Sequence, residues 1–240
     1  MKRIQITILA LLAVVMLGSL SSCVFHCVRG SGNPSTEERK ANDFKRIDVS
    51  GGFKVVLKQD SSLTLKITAD DNLLKYIKTT VDDGRLHIFT RRSICDAGQM
   101  TISIGVRNLE EIKASGAVEI ESDGKINTQD FRIKLSGATK VTMDLNAANV
   151  TTSGSGATEL NLKGQASSHD INLSGSGKVY ALDFVTGNCE IHTSGVGHSE
   201  VNVLHSLSVH SSGASEVKYR GNPSSVTNDK SGASSIEKVN

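Results

Sequence analysis

Two histidines carry the most suggestive chemistry in this chain of 240 residues. His192 and His210 each stand two residues before a Ser-Gly pair, in segments that repeat one another. If such segments stack, the two side chains are neighbours about 5 Å apart, with His198 and His205 in nearby turns. Adjacent imidazoles can hold a divalent metal or form a pH-sensitive patch. The plainer expectation is two solvated histidines in an outward column shared with Lys113, Lys134, Thr151 and Asn172, so neither metal nor cofactor is assigned. The acidic doublets Asp70-Asp71 and Asp82-Asp83 suit solvated turns better than acid–base dyads. Stacking platforms for sugars are scarce too, with no Trp and 3 Tyr. Catalysis is not expected.

Cysteine points elsewhere. Lys2 and Arg3 precede an apolar run from Ile4 to Leu17, shorter than the roughly 20 residues that span a bilayer as a helix. It reads as the core of a signal peptide over residues 1–22. Leu20-Ser21-Ser22-Cys23 then looks like a bacterial lipobox, with Cys23 lipidated and acyl chains anchoring the protein. No acid follows between Val24 and Gly30, so an outer-membrane lipoprotein is expected with its periplasmic or surface face open. Cys27, Cys95 and Cys189 remain. An odd, scattered set is no disulfide framework, although a Cys27–Cys95 bridge is one option. Residues 23–42, rich in Gly, Ser and charge, read as the lipidated Cys and a flexible tether.

Without Lys2 and Arg3 the basic and acidic residues balance at 25 each. A neutral chain has no bulk-charge case for binding nucleic acid.

The elements that would position the histidines come from a repeat. Ser-Gly recurs at Gly116, Gly137, Gly156, Gly175, Gly195, Gly213 and Gly232, with an earlier copy at Ser50-Gly51. The spacing is about 19–21 residues, a period that means stacked units. One apolar column precedes the pairs (Ile112, Ile133, Val150, Ile171, Ile191, Val209). Another follows them (Ile120, Val141, Leu160, Val179, Val201, Val217, Ile236). Alternation of period two around both is the strand template. No unit has room for a long amphipathic helix. The expected fold is all-β: a single-stranded, right-handed parallel β-helix in which the glycines turn a corner at positive φ. Outside it, Glu119, Lys140, Glu159, Lys178 and Glu200 alternate in sign before Glu216, as cross-strand pairing prefers. Cys189 shares the inward parity of Ile191 and is expected to be buried.

Residues 43–106 depart from the repeat. Strands are expected at Phe53–Leu57 and Leu63–Thr68, one or two helical turns within Asn72–Thr79, and a hairpin turning at Asp83-Gly84. This segment reads as the first coil plus an N-terminal cap over an otherwise open end. The regular coils fill 107–240.

The residues Gly30-Ser31-Gly32-Asn33, the entry Phe44-x-x-Ile47-x-Val49-Ser50-Gly51, the hairpin before Leu86-His87-Ile88 and the Ser-Gly-Ala corners resemble the head GIN domain family. That family is labelled an auto-transporter adhesin. The resemblance implies a secreted or lipid-anchored β-helical domain without established catalytic residues, and it covers roughly Phe44 to Val239.

The expected function is thus a lipid-anchored envelope protein, a non-catalytic binding or scaffold module for a protein or glycan. The alternative is an envelope polysaccharide lyase or hydrolase on the same fold. Self-association through the last coil, Val226 to Val239, is a third expectation.

Overall fold

The computed structural model describes residues 27–240. The expected signal peptide and Cys23 lie outside the described residues. What is described is all-β. Its only helix is a single 3₁₀ turn at Leu74–Tyr76, within the segment where one or two helical turns are expected.

Eleven strands follow in order: β1 Val28–Arg29, β2 Pro34–Lys40, β3 Arg46–Gln59, β4 Thr64–Asp70, β5 Ile77–Asp82, β6 Arg85–Thr90, β7 Ile94–Cys95, β8 Thr101–Val106, β9 Glu111–Asn127, β10 Asp130–Arg220 and β11 Ser225–Lys238. Period-two patterning explains β3: Ile47, Val49, Phe53, Val55 and Leu57 are all buried to 2% exposure or less. Each such side chain contributes roughly 1.5–3 kcal/mol on burial.

β3 pairs in parallel with β9 in a register that sets Gly51 beside Gly116. Its other edge is divided between β6 and β8, again in parallel. Beyond them the direction reverses, because β4 runs antiparallel to β8 and β2 antiparallel to β4. The β5–β6 hairpin turns at Asp83-Gly84 as expected, with Asp82 opposite Arg85. The segment 43–106 therefore covers one edge of the parallel stack. Charged, exposed β2 finishes that side, a sequence poorly suited to further strand addition.

The tether expectation needs correction. Cys27 is disulfide-bonded to Cys95, β1 pairs with β7, and all seven residues of β2 pair with β4. The Asn72 side chain donates to the Arg29 carbonyl and accepts from Ser31 N–H. Asp70, buried rather than solvated, accepts from Gly32 N–H. Polar composition suggested free chain, but these groups have partners on the cap. Asp71 is exposed, as expected of a turn, and accepts from the Ser31 hydroxyl.

The other side of the stack is built by repetition. β10 begins in parallel register on β9, with Gly137 beside Gly116, and β11 lies on the end of β10, with Gly232 beside Gly213. In between, β10 is one extended run of 91 residues whose glycines mark its passes. A Cβ built on Gly156 would sit 2.8 Å from the Gly137 carbonyl oxygen, and one on Gly175 would sit 2.9 Å from that of Gly156. Gly195 approaches Gly175, and Gly213 approaches Gly195, in the same way. All of these glycines have positive φ. The corners therefore rise as one file, and the backbone above leaves no space for a side chain.

Candidate ligand groove

That file fixes which residues are neighbours. Two residues before each corner Ser, the outward column reads Asp48, Lys113, Lys134, Ser153, Asn172, His192, His210 and Asp229. Register is direct at both ends, where Lys113 lies beside Asp48, Lys134 beside Lys113, and Asp229 beside His210. The corner serines run alongside. From Lys113 to Asp229 these residues line an open groove of about 770 Å³. Six inter-pass steps make it about 29 Å long. One end is cationic, the middle presents hydroxyls and an amide, and the other end presents two imidazoles and a carboxylate.

The cationic end is braced from beneath. Glu111 is buried at 3% exposure. Arg85 and Lys134 bond its carboxylate, with Arg132 close by. Burial alone would raise the Glu111 carboxyl, but hydrogen bonds from Arg85 and Lys134 outweigh it and hold it below the usual range. Lys113 reaches Asp48 at 3.0 Å.

At the far end the rings of His192 and His210 stack, with centroids 4.8 Å apart and planes 9° from parallel. The expected neighbours are thus brought together. Glu190 Oε1 lies 2.8 Å from His192 Nε2. Asp229 Oδ2 lies 3.7 Å from His210 Nδ1, and Ser208 Oγ lies 3.1 Å from His210 Nε2. Glu190 was absent from the sequence reading, although its place two residues before His192 puts it on the same outward face.

Two registers differ from expectation. Ser153, not Thr151, stands in the groove column, while Thr151 lies near Asn149 and Arg132. Correspondingly Thr152, not Val150, occupies the first inward column, fully buried. Val150 belongs beside Phe131, His169, Cys189 and Leu207 in an adjacent buried column. Thr152 Oγ1 lies 2.9 Å from His169 Nε2, a polar pair within the core. Burial drives the His169 pKa down to about 3. Cys189 is buried as expected, its thiol pushed up to about 12 by burial first and by Asp170 and Glu190 next.

The second difference lies across the corner. Ser199 replaces Val201 in the second inward column, which puts His198 in the outward ladder in place of Glu200. His198 is then held between two carboxylates, Nδ1 2.9 Å from Glu216 and Nε2 3.0 Å from Glu200. Hydrogen bonds from Lys218 and then His198 lower the Glu216 carboxyl. Within the expected alternation, Lys140 and Glu159 are in contact at 3.0 Å. His198 and His205 lie outside the groove lining.

The family model described as "Putative auto-transporter adhesin, head GIN domain" matches residues 43–223. This chain belongs to that family. Solved structures agree with the fold of this head GIN chain. A "putative adhesin" from Bacteroides fragilis superposes with a TM-score of 0.83 at 21% identity, covering 88% of this chain and 100% of the other. A "putative lipid binding protein" from Parabacteroides distasonis gives 0.70 at 21% identity, covering 89% and 99%. A "putative adhesin" from Parabacteroides merdae gives 0.65 at 22% identity, also covering 89% and 99%. No curated protein matches the chain. No helix among the described residues is long and apolar enough to cross a membrane.

Proposed function

We propose that this head GIN chain is a lipid-anchored module of the cell envelope whose body is a right-handed parallel β-helix and whose work is non-catalytic binding. Parallel registers at both ends of β10 and the rising glycine file support the coil. The handedness follows the general preference of parallel crossovers. The observation that carries the binding reading is the groove, because it aligns hydroxyl, amide and charged groups from successive passes along one line. An extended glycan or peptide strand of an envelope partner suits such a line. Hydrolysis of glycosides ordinarily takes a pair of carboxyl groups flanking the bond, whereas the acid in this groove lining is Asp229.

Lipidation of Cys23 would hold the module close to its membrane. Only three residues lie between Cys23 and Cys27, which is bonded to the cap, so the four backbone steps reach at most about 14 Å.

Two experiments test the reading. Fatty-acid labelling of cells should mark the wild type and not Cys23→Ala. Full-length protein should be retained on insoluble envelope glycan or on envelope protein, and the groove-blocking pair Ser153→Arg with Ser174→Arg should abolish retention without changing the melt. Release of reducing ends that Asp229→Asn abolishes would instead establish an enzyme.

A further inference from the structure

We propose that Glu190, His192 and His210 form a binding site for one divalent transition-metal ion of the zinc or copper type. One donor atom from each residue lies within 4.8 Å of the others. The arrangement follows from the stack: His192 and His210 are column neighbours on consecutive passes, and Glu190 is on the same outward face of the same pass as His192. Two imidazoles and a carboxylate are a donor set that suits zinc, copper or nickel, while magnesium and calcium prefer oxygen alone.

Ligand atoms about 2.0–2.2 Å from a tetrahedral zinc lie about 3.3–3.6 Å from one another, whereas the donor atoms here are up to 4.8 Å apart. Closing that gap requires the two rings to turn out of their stack about their side-chain torsions. Both side chains are near 40% exposed, so solvent leaves room for that turn. The backbone beneath stays fixed by its ladder. The hydrogen bond between Glu190 and His192 already orients two of the three donors. Asp229, 3.7 Å from His210 Nδ1, stands ready as a fourth ligand. Where it stays out, a coordination position remains open toward the groove for water or an oxygen of a bound partner. The site needs no groove ligand and stands on its own geometry.

The test is isothermal titration of full-length protein in mild detergent with zinc chloride alone, then with copper chloride alone. The expected result at pH 7.4 is one ion per chain with a dissociation constant of roughly 10 μM or tighter. His192→Ala and His210→Ala should each weaken binding at least about ten-fold, and Glu190→Gln should weaken it less. His198→Ala and His205→Ala should leave it unchanged. Circular dichroism melts of all variants exclude unfolding as the cause. Absence of binding of either ion at about 100 μM would overturn the site. So would binding that survives both His192→Ala and His210→Ala, or binding lost with His198→Ala.

Discussion

The two ends of the stack solve the same packing problem with different residues. Around the cap and first passes the interior is aliphatic and aromatic: Phe44, Ile47, Phe53, Leu57, Ile67, Leu86 and Ile102 are buried to 2% exposure or less. From Thr139 onward the interior carries hydroxyls and a histidine, including Thr152, Thr158, His169, Thr193, Ser199, Ser211 and Ser215. Some are paired, as Thr152 with His169 and Thr193 with Ser211. The hydroxyls of Thr139, Thr158 and Ser199 have no hydrogen-bond partner among the described residues. The ends differ as well, since β2 closes one side with an antiparallel charged strand while β11 is largely exposed. The lesson concerns how little a stacked fold needs once it is started. The ladder hydrogen bonds and the glycine corner carry each later pass, so its side chains are freer to be small or polar. The imidazole end of the groove lies in this less apolar region.

The largest expected effect puts a charge into the polar region's remaining aliphatic column. Ile171 is fully buried, and Ile171→Asp should unfold the domain, costing more than about 4 kcal/mol. A near-wild-type melt would show that the hydroxyl-rich interior is wet enough to accept charge. Next come the corners. Gly156→Ala adds a Cβ against the Gly137 carbonyl, while Gly124 has the same sign of φ with nothing within 4 Å. Urea unfolding should give roughly 2–4 kcal/mol for Gly156→Ala and about 1 kcal/mol for Gly124→Ala. Equal costs would mean that conformation alone requires glycine, without close stacking.

Acid should separate the two regions further. His169 titrates near 3 when folded against about 6.5 in the open chain. The unfolded chain therefore takes up this proton first, and stability falls as pH drops from about 6.5 toward about 3. Between pH 6.5 and 4.5 this one group should cost about 2–3 kcal/mol. The double variant Thr152→Val with His169→Leu removes both polar partners together. Its stability should be flatter over that window by the same amount, measured by urea unfolding at each pH. An unchanged slope would mean that His169 gains solvent. The smallest effect is Thr158→Val, which removes an unpaired hydroxyl at nearly constant shape. It should be neutral or stabilising by up to about 1 kcal/mol. A loss would reveal a hydrogen bond to that hydroxyl.

Much of this was legible because Ser-Gly pairs recur where a close backbone approach forces glycine. The hairpin at Asp83-Gly84, the burial of Cys189 and the meeting of His192 with His210 all followed. The two register slips have one cause. In the segment Val150-Thr151-Thr152-Ser153-Gly154-Ser155-Gly156 the apolar marker Val150 lies two residues from the column it was placed in. A shift of two preserves strand parity, so alternation cannot expose it. Val201 misleads in the same way beside buried Ser199. Only three-dimensional stacking of Gly156 and Gly195 on their neighbours resolves the choice. Of the clasp of residues 27–40 on the cap, only the Cys27–Cys95 bridge was legible, as one option. The partners Asp70 and Asn72 are distant in sequence, and the clasp's own residues are polar.

The central claim is that passes one period apart lie directly on one another. Spin labels at Ser115→Cys and Ser212→Cys, five passes apart, measure it by double electron–electron resonance. The stack predicts one narrow distance distribution centred near about 24 Å. A broad distribution, or a mean beyond about 40 Å, far outside five ladder steps, would contradict it.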